Sequence, residues 1–469
     1  VDLLSNSEPA LMSNVTRLAS SPVPSVGSRA GIRQGRGAGL VAAALLAAAC
    51  VATGAIAQGT TGGSSAADAA VAEAQSKLDA VTAELDRDYI IGPTVAKDLD
   101  LRIAWQSRLA PKGGPLKYIA TAEDAILVLD SRNGIARLNP SNGTEMWRVS
   151  VANEIDIFRG LHWARIQEPR SGALGAPLER RDPRETAKKP WLLTLYLATD
   201  TELHAIDAAT GSLVDRQNFE KLPATPPLGV GPYLVYGTIG GQLVWHDFVV
   251  GHELRANSLD SKSRPRPLLV GNSIIAVSDR GMVLCADAKS AATRWTTRTL
   301  GGIVARPAAG SGMIFVPSQD QYLWAFDARS GAPRWRYFTQ SELVTPPFAF
   351  EDSVLQYVPT EGLVCLAADA KGKVDGDVRW RNAEAHGVPQ GLIDDTLLLW
   401  DGDKRIATTV DPKTGVILDR YNLPSALMLD LVKDGPFAGD LLTISEDGRV
   451  ERLTSLAPKA PAPAAGATK

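Results

Sequence analysis

The chain has 469 residues, 45% of them apolar, with 49 basic against 52 acidic side chains and a formal net charge of −3. That much apolar material supports a large core, and the balanced charge excludes the broad cationic field that nucleic-acid binding exploits. The three cysteines and five histidines are scattered, without the spacing of a zinc helix or a Cys/His cluster.

Residues 1–38 read as a disordered basic N-terminal region, and 1–11, ahead of Met12, as an upstream or misassigned start. Residues 39–57 are apolar and uncharged, with Arg17, Arg29, Arg33 and Arg36 before them and acids only from Asp68 onward. This asymmetry keeps the N-terminus in the cytoplasm and exports the rest of the chain to the periplasmic side of a bacterial cell envelope. The segment has three readings. Ala55-Ile56-Ala57 suits a signal peptidase; Leu45-Leu46-Ala47-Ala48-Ala49-Cys50 resembles a lipobox with Ala47 in place of the usual Leu, making Cys50 a lipidation candidate; and a retained membrane span is the third. Residues 58–98 form a linker and an amphipathic helix over 66–88, where Val71, Ala74, Leu78, Val81 and Leu85 alternate by three and four. Such a seam supports weak self-association at most.

From residue 99 to 455 one phrase recurs: two apolar runs separated by a polar turn, an Asp or Asn, Gly four residues on and often Trp four further. Its copies are Asn139/Gly143/Trp147, Asp207/Gly211/Asp215, Asp247/Gly251/Arg255, Asp287/Ala291/Trp295, Asp327/Gly331/Trp335 and Asp411/Gly415/Asp419; a degenerate copy lies near Ala368 with Trp380, and one more period lands on Thr454. From Asp207 to Asp327 each step is 40 residues. A fixed period of this size, with strand alternation and no helical stretch, marks a radial β-repeat. The glycines suit turns with positive φ and the Asp side chains suit capping of the turn's own amides. Trp105, Trp147, Trp295, Trp335 and Trp380 are expected to wedge between neighbouring repeats. Trp105 has no hairpin before it, and the last repeat has no Trp strand after it, so the N-terminal strand is expected to complete the last blade and remove the open edges. The fold class is all-β, an eight-bladed β-propeller with seven blades the alternative. Residues 456–469 form a disordered Ala/Pro tail.

Within this phrase, Gln319-Asp320-Gln321-Tyr322-Leu323-Trp324-Ala325-Phe326-Asp327-Ala328-Arg329-Ser330-Gly331-Ala332-Pro333-Arg334-Trp335 resembles the repeat of the pyrroloquinoline-quinone-like (PQQ-like) β-propeller superfamily. The superfamily includes quinoprotein dehydrogenases and non-catalytic scaffolds, and in character the chain is closest to the BamB-like scaffold branch. Dehydrogenases of this fold hold their quinone against a disulfide between adjacent cysteines, with a calcium ion beside it. Here Cys50, Cys285 and Cys365 are far apart, so neither a catalytic residue, a cofactor nor a metal is expected. His204 and His246 occupy related places in successive repeats and read as blade residues rather than a metal pair. Asp375-Gly376-Asp377 and Asp401-Gly402-Asp403 read as hairpin turns, not calcium loops.

The interval from Asn139 to Asp207 exceeds the others, and its surplus carries Arg165, Arg180, Arg181 and Arg184, a candidate docking loop on a rigid scaffold. The expected function is therefore a non-catalytic envelope scaffold that binds other proteins. A divergent quinoprotein-like enzyme or small-ligand binder using the central funnel is the alternative.

Overall fold

The computed structural model describes residues 64–109, 114–166, 191–370 and 375–456. Segment 39–57, Cys50, Arg180, Arg181, Arg184 and residues 457–469 lie outside the described residues. The helix α1, Ser64–Asp88, crosses the boundary between two compact units, Val1–Asp79 and Ala80–Lys469. Val71 and Ala74 of its expected seam lie outside the described side chains, while Val81 is 44% exposed. Among the described residues no helix is long and apolar enough to cross a membrane.

Within the second unit the described residues form eight four-stranded antiparallel sheets. Blades 1 and 2 occupy 116–150 and 160–218. The inner strands of the next six begin at Leu228, Leu268, Ala308, Phe348, Val388 and Met428, each 40 residues after the last. The copy near Ala368 is thus a full blade, blade 6 (348–382), and the count is eight rather than seven. Successive blades bury their facing sheets against each other, as in the cluster that joins Phe315 and Leu323 of blade 5 to Val354 and Val364 of blade 6. Dense apolar alternation on both faces of the two middle strands produces this packing.

A meander of four strands sends its first-to-second and third-to-fourth turns to one rim. The second-to-third turns, the loops between blades and the starts of the inner strands go to the other. On the first rim each Trp of an outermost strand reaches into the next blade. The indole N–H of Trp147 donates to Ala208 O at 2.9 Å, that of Trp295 to Ala328 O at 3.2 Å, that of Trp335 to Ala368 O at 2.8 Å and that of Trp380 to Pro412 O at 3.2 Å. Trp105 does the same to Pro140 O at 2.8 Å. The ring lies flat on the turn glycine, and a Cβ at Gly331 (φ +73°) would sit 2.5 Å from the Trp295 ring. Backbone conformation and space both demand Gly there. Gly331→Val is accordingly expected to cost about 2–4 kcal/mol in urea unfolding; a wild-type midpoint would contradict the contact.

The equivalent residue of blade 4 is Ala291, also at positive φ (59°). It faces Arg255 of blade 3 rather than Trp, and Arg255 donates to Lys289 O at 2.6 Å while Trp245, from the neighbouring strand, donates to Ala288 O at 2.9 Å. Where no indole covers the turn, a methyl group fits.

The strand β1, Leu101–Arg108, pairs antiparallel with Arg449–Ser455 and becomes the outermost strand of blade 8. The chain ends therefore close the ring. The outermost strand of blade 7, Ile417–Asn422, carries no Trp; the seam to blade 8 is filled by Ile90, Ile91 and the short helix α2, Pro93–Asp98, whose Ala96 packs with Leu99, Trp400, Tyr421 and Leu423. Amides of Ile90 and Ile91 both donate to Glu451 Oε2 at 2.9 Å. Glu451 is fully buried, its Oε1 has no hydrogen-bond partner, and burial pushes its carboxyl up to about 8 against the pull of those two amides.

Candidate functional site

Two surfaces of the ring carry side chains that blade packing does not explain. The first is the rim formed by interblade loops and second-to-third turns. Its loops are ordered by backbone bonds to the adjacent turn, such as Ile239 N to Leu222 O at 3.1 Å and Gln319 N to Gly302 O at 2.9 Å. They nonetheless present apolar side chains to water: Ile155 is 90% exposed and Leu300 80%, with Ile157, Leu222, Ile239 and Val344 also open. Single exposed hydrophobes are ordinary, but several on structured loops of one rim mark an interaction surface.

The same rim holds the starts of the inner strands, which line the axis. Arg266 belongs to blade 4, yet its charge acts on Tyr118 of blade 1, on His162 of blade 2 and on Arg306 of blade 5. One guanidinium influences blades so far apart around the ring only from the axial channel. Desolvation holds the Arg266 guanidinium below its ordinary range, and Arg306 is lowered by desolvation and by Arg266 itself. His162 is depressed to about 4, by burial first and by Arg266 second. Its ring lies so close to Gly229 of blade 3 that no Cβ could be accommodated there.

The second surface lies on the opposite rim, at the foot of the long connection in blade 2. Exposed Trp191 and Leu192 open its strand Leu192–Ala198, while exposed Trp163 lies midway along Gly160–Ile166. Arg165 Nε donates to both carboxylate oxygens of Glu123 in blade 1 at 2.8 and 2.9 Å, which ties the base of the connection to its neighbour. Such an exposed pair fixes direction more than it adds stability.

Other residues singled out in the sequence have structural surroundings. Gly143, Gly211, Gly331 and Gly415 lie under Trp105, Trp147, Trp295 and Trp380, whereas a Cβ at Gly251 would meet Gln217 only at an ordinary 3.5 Å. The carboxyls of Asp287 and Asp327 are held well below the usual range. For Asp287 the Ser290 amide is the main cause and Arg294 the next; for Asp327 it is Arg334, then Ser330. His204 is buried on the face of blade 2 that packs against blade 1, and His246 is buried between blades 2 and 3 against Gln217 and Phe219. His246 Nε2 is 2.9 Å from Gln217 Oε1, while both ring nitrogens of His204 lack a hydrogen-bond partner. Burial depresses each to about 4, so both are neutral imidazoles at neutral pH. Cys285 and Cys365 are free and buried, with burial raising their thiols. Among the described residues no cluster of His, Cys, Asp and Glu is arranged to hold a metal ion. Asp401-Gly402-Asp403 turns between the strands Thr396–Asp401 and Ile406–Val410, and Gly376 packs on the Trp335 ring.

Sequence reading passed over the channel arginines and Glu451. A signal for the first existed: positions 226, 266, 306, 346, 386 and 426, spaced by 40, carry Pro, Arg, Arg, Pro, His and Ala, so two arginines occupy equivalent places in adjacent blades. For Glu451, 360 residues from Ile91, no local pattern marks the contact.

Comparison with known proteins agrees with this geometry. A family model described as outer membrane protein assembly factor BamB matches residues 199–345 and 283–428. The crystal structure of BamB from Moraxella catarrhalis superposes with a TM-score of 0.55 at 17% identity, covering 77% of this chain and 99% of that one. The computationally designed Ika8 protein superposes with a TM-score of 0.55 at 12% identity, covering 75% and 98%. No curated protein matches in sequence. At these identities the likeness is one of fold.

Proposed function

Since the chain belongs to the PQQ-like β-propeller superfamily, which shares a fold and not a reaction, we propose that it is a non-catalytic scaffold that binds other proteins of the bacterial cell envelope. The observation that carries this reading is the set of exposed apolar side chains on the interblade rim, led by Ile155 and Leu300. Ordered loops hold them, so docking a partner requires little rearrangement and little loss of conformational entropy. The envelope setting draws on the matched family's description as an outer membrane protein assembly factor and on the charge asymmetry around residues 39–57. That segment serves as a cleaved signal, a lipid anchor through Cys50 or a span, and the propeller lies on the periplasmic side. Arg165, Arg180, Arg181 and Arg184 supply a second contact.

Affinity purification of the tagged full-length protein from detergent-solubilised membranes tests the reading. Stoichiometric envelope partners are expected. They should be lost from the I155D/L300D variant with no change in melting temperature, because both side chains already face solvent. Absence of partners, or their undiminished recovery with I155D/L300D, would overturn docking on this rim. Loss only when the four arginines are changed to Ser would assign it to the blade 2 connection.

A further inference from the structure

The arginines at the channel mouth lack the partners that a structural role would give them. Neither Arg266 nor Arg306 has a hydrogen bond or ion pair among the described residues, and Nε of Arg266 is buried without an acceptor. Arg159, immediately ahead of the inner strand of blade 2, likewise has a buried Nε without an acceptor. Other arginines of the interblade loops are neutralised. Arg264, two residues before Arg266, holds Asp279 at 2.9–3.0 Å, and Arg298 holds Asp260 at 2.6 Å.

Arg266 is half-buried and Arg306 exposed; holding two like charges within Coulomb range of each other with no counter-charge is unfavourable, and the buried Nε groups of Arg266 and Arg159, without partners, call for an explanation such as a bound ion. The surroundings supply little relief. Lys117 donates to Asn133 Oδ1 at 2.6 Å and is offset by the carboxylate of Asp130 rather than by any group beside the arginines. Asp430 of blade 8 acts on Tyr118, and burial raises its carboxyl toward the neutral form. His162 is held neutral beside Arg266. The start of the inner strands is therefore cationic on this rim, with Arg266 its half-buried member. Guanidinium groups present planar pairs of N–H donors that match the oxygens of phosphate and carboxylate.

We propose that Arg266 and Arg306, with Arg159 at the equivalent end of blade 2, form a receptor for a small oxyanion in the mouth of the axial channel. An oxyanion would satisfy the orphaned donors and cancel the repulsion between blades 4 and 5. The ligand class is a phosphate or a small carboxylate, entering from the rim that carries the exposed apolar side chains. The site goes beyond the scaffold reading and stands or falls independently of it.

Thermal unfolding and calorimetric titration of the full-length protein in mild detergent, with sodium phosphate or sodium succinate at ionic strength matched by sodium chloride, test this. A saturable rise in melting temperature is expected for at least one anion, and which one responds distinguishes a phosphate from a carboxylate ligand. In R266Q/R306Q the response should disappear, with affinity at least tenfold weaker. R306Q alone should weaken it while R264Q leaves it intact. Without added anion, R266Q should melt no lower than wild type, since it removes an unpaired charge. Failure of both anions to exceed chloride, or an unchanged response in R306Q, would overturn the proposal.

Discussion

A chain that begins at residue 110 is expected to give no soluble folded propeller, and Trp105→Ala in the full-length protein is expected to lose about 3–5 kcal/mol of unfolding free energy. Both effects stem from the position of β1. Its eight residues pair along Arg449–Ser455, and without them that strand becomes the open edge of blade 8. An unpaired edge of this length is a template for pairing with other chains, so loss of the strand favours aggregation over a slightly weaker ring. Trp105 acts at the same seam. It is 7% exposed, its N–H is bound to Pro140 O, and it packs with Ile126 and Val128 of blade 1. Replacing it by Ala leaves a cavity between blades 8 and 1, while Pro140 O keeps the Arg452 guanidinium as its donor. Equilibrium urea denaturation followed by intrinsic fluorescence and far-ultraviolet dichroism measures the variant, and expression with size-exclusion chromatography measures the truncation. A monomeric truncated chain of wild-type stability would mean that the ring closes without its N-terminal strand.

The second large effect is a stability optimum near pH 7, with a loss of several kcal/mol on the acid side and of about 1 kcal/mol on the alkaline side. On the acid side, His162, His204 and His246 each titrate near 4 in the folded protein against 6.5 unfolded. The unfolded chain binds more protons between those values, so stability present above pH 6.5 is lost as the pH falls through 6.5 toward 4. On the alkaline side Glu451 works the other way. Its carboxyl stands at about 8 in the fold against 4.5 as a free group, so the folded protein binds the extra proton. This contribution is complete below pH 4.5 and disappears as pH rises through 8, on the order of 5 kcal/mol at most. Three histidines outweigh one carboxyl below about pH 7, and Glu451 governs the slope above it.

Urea midpoints from pH 4.5 to 8.5 give the profile. Glu451→Gln keeps an oxygen for the Ile90 and Ile91 amides but cannot ionise, so its alkaline limb should flatten while the acid limb persists. Glu451→Ala should cost about 1–3 kcal/mol at pH 6, because the Ile91 amide loses its acceptor while that of Ile90 keeps Gln106 Oε1 at 2.9 Å, and the cost should shrink as the pH rises toward 8. An undiminished alkaline limb in Glu451→Gln would refute this assignment.

How much of the molecule can be read from its sequence depends on how far apart the interacting residues lie. The 40-residue period determines strand order, blade number over most of the ring and the place of the Asp and Gly in each turn, because these are local consequences of alternation and turn chemistry repeated in register. It also determines closure: a Trp strand without a hairpin at one end and a hairpin without a Trp strand at the other complete each other. The sequence alone leaves open which residue replaces Trp at irregular seams. Arg255 and Trp245 divide that role at Ala291, and α2 takes it between blades 7 and 8. Tertiary structure likewise decided the environments of Glu451, Arg266 and Arg306. A period shows that residues are equivalent in their own blades, whereas burial, unpaired charge and field across the axis exist only once strands hundreds of residues apart share one small volume.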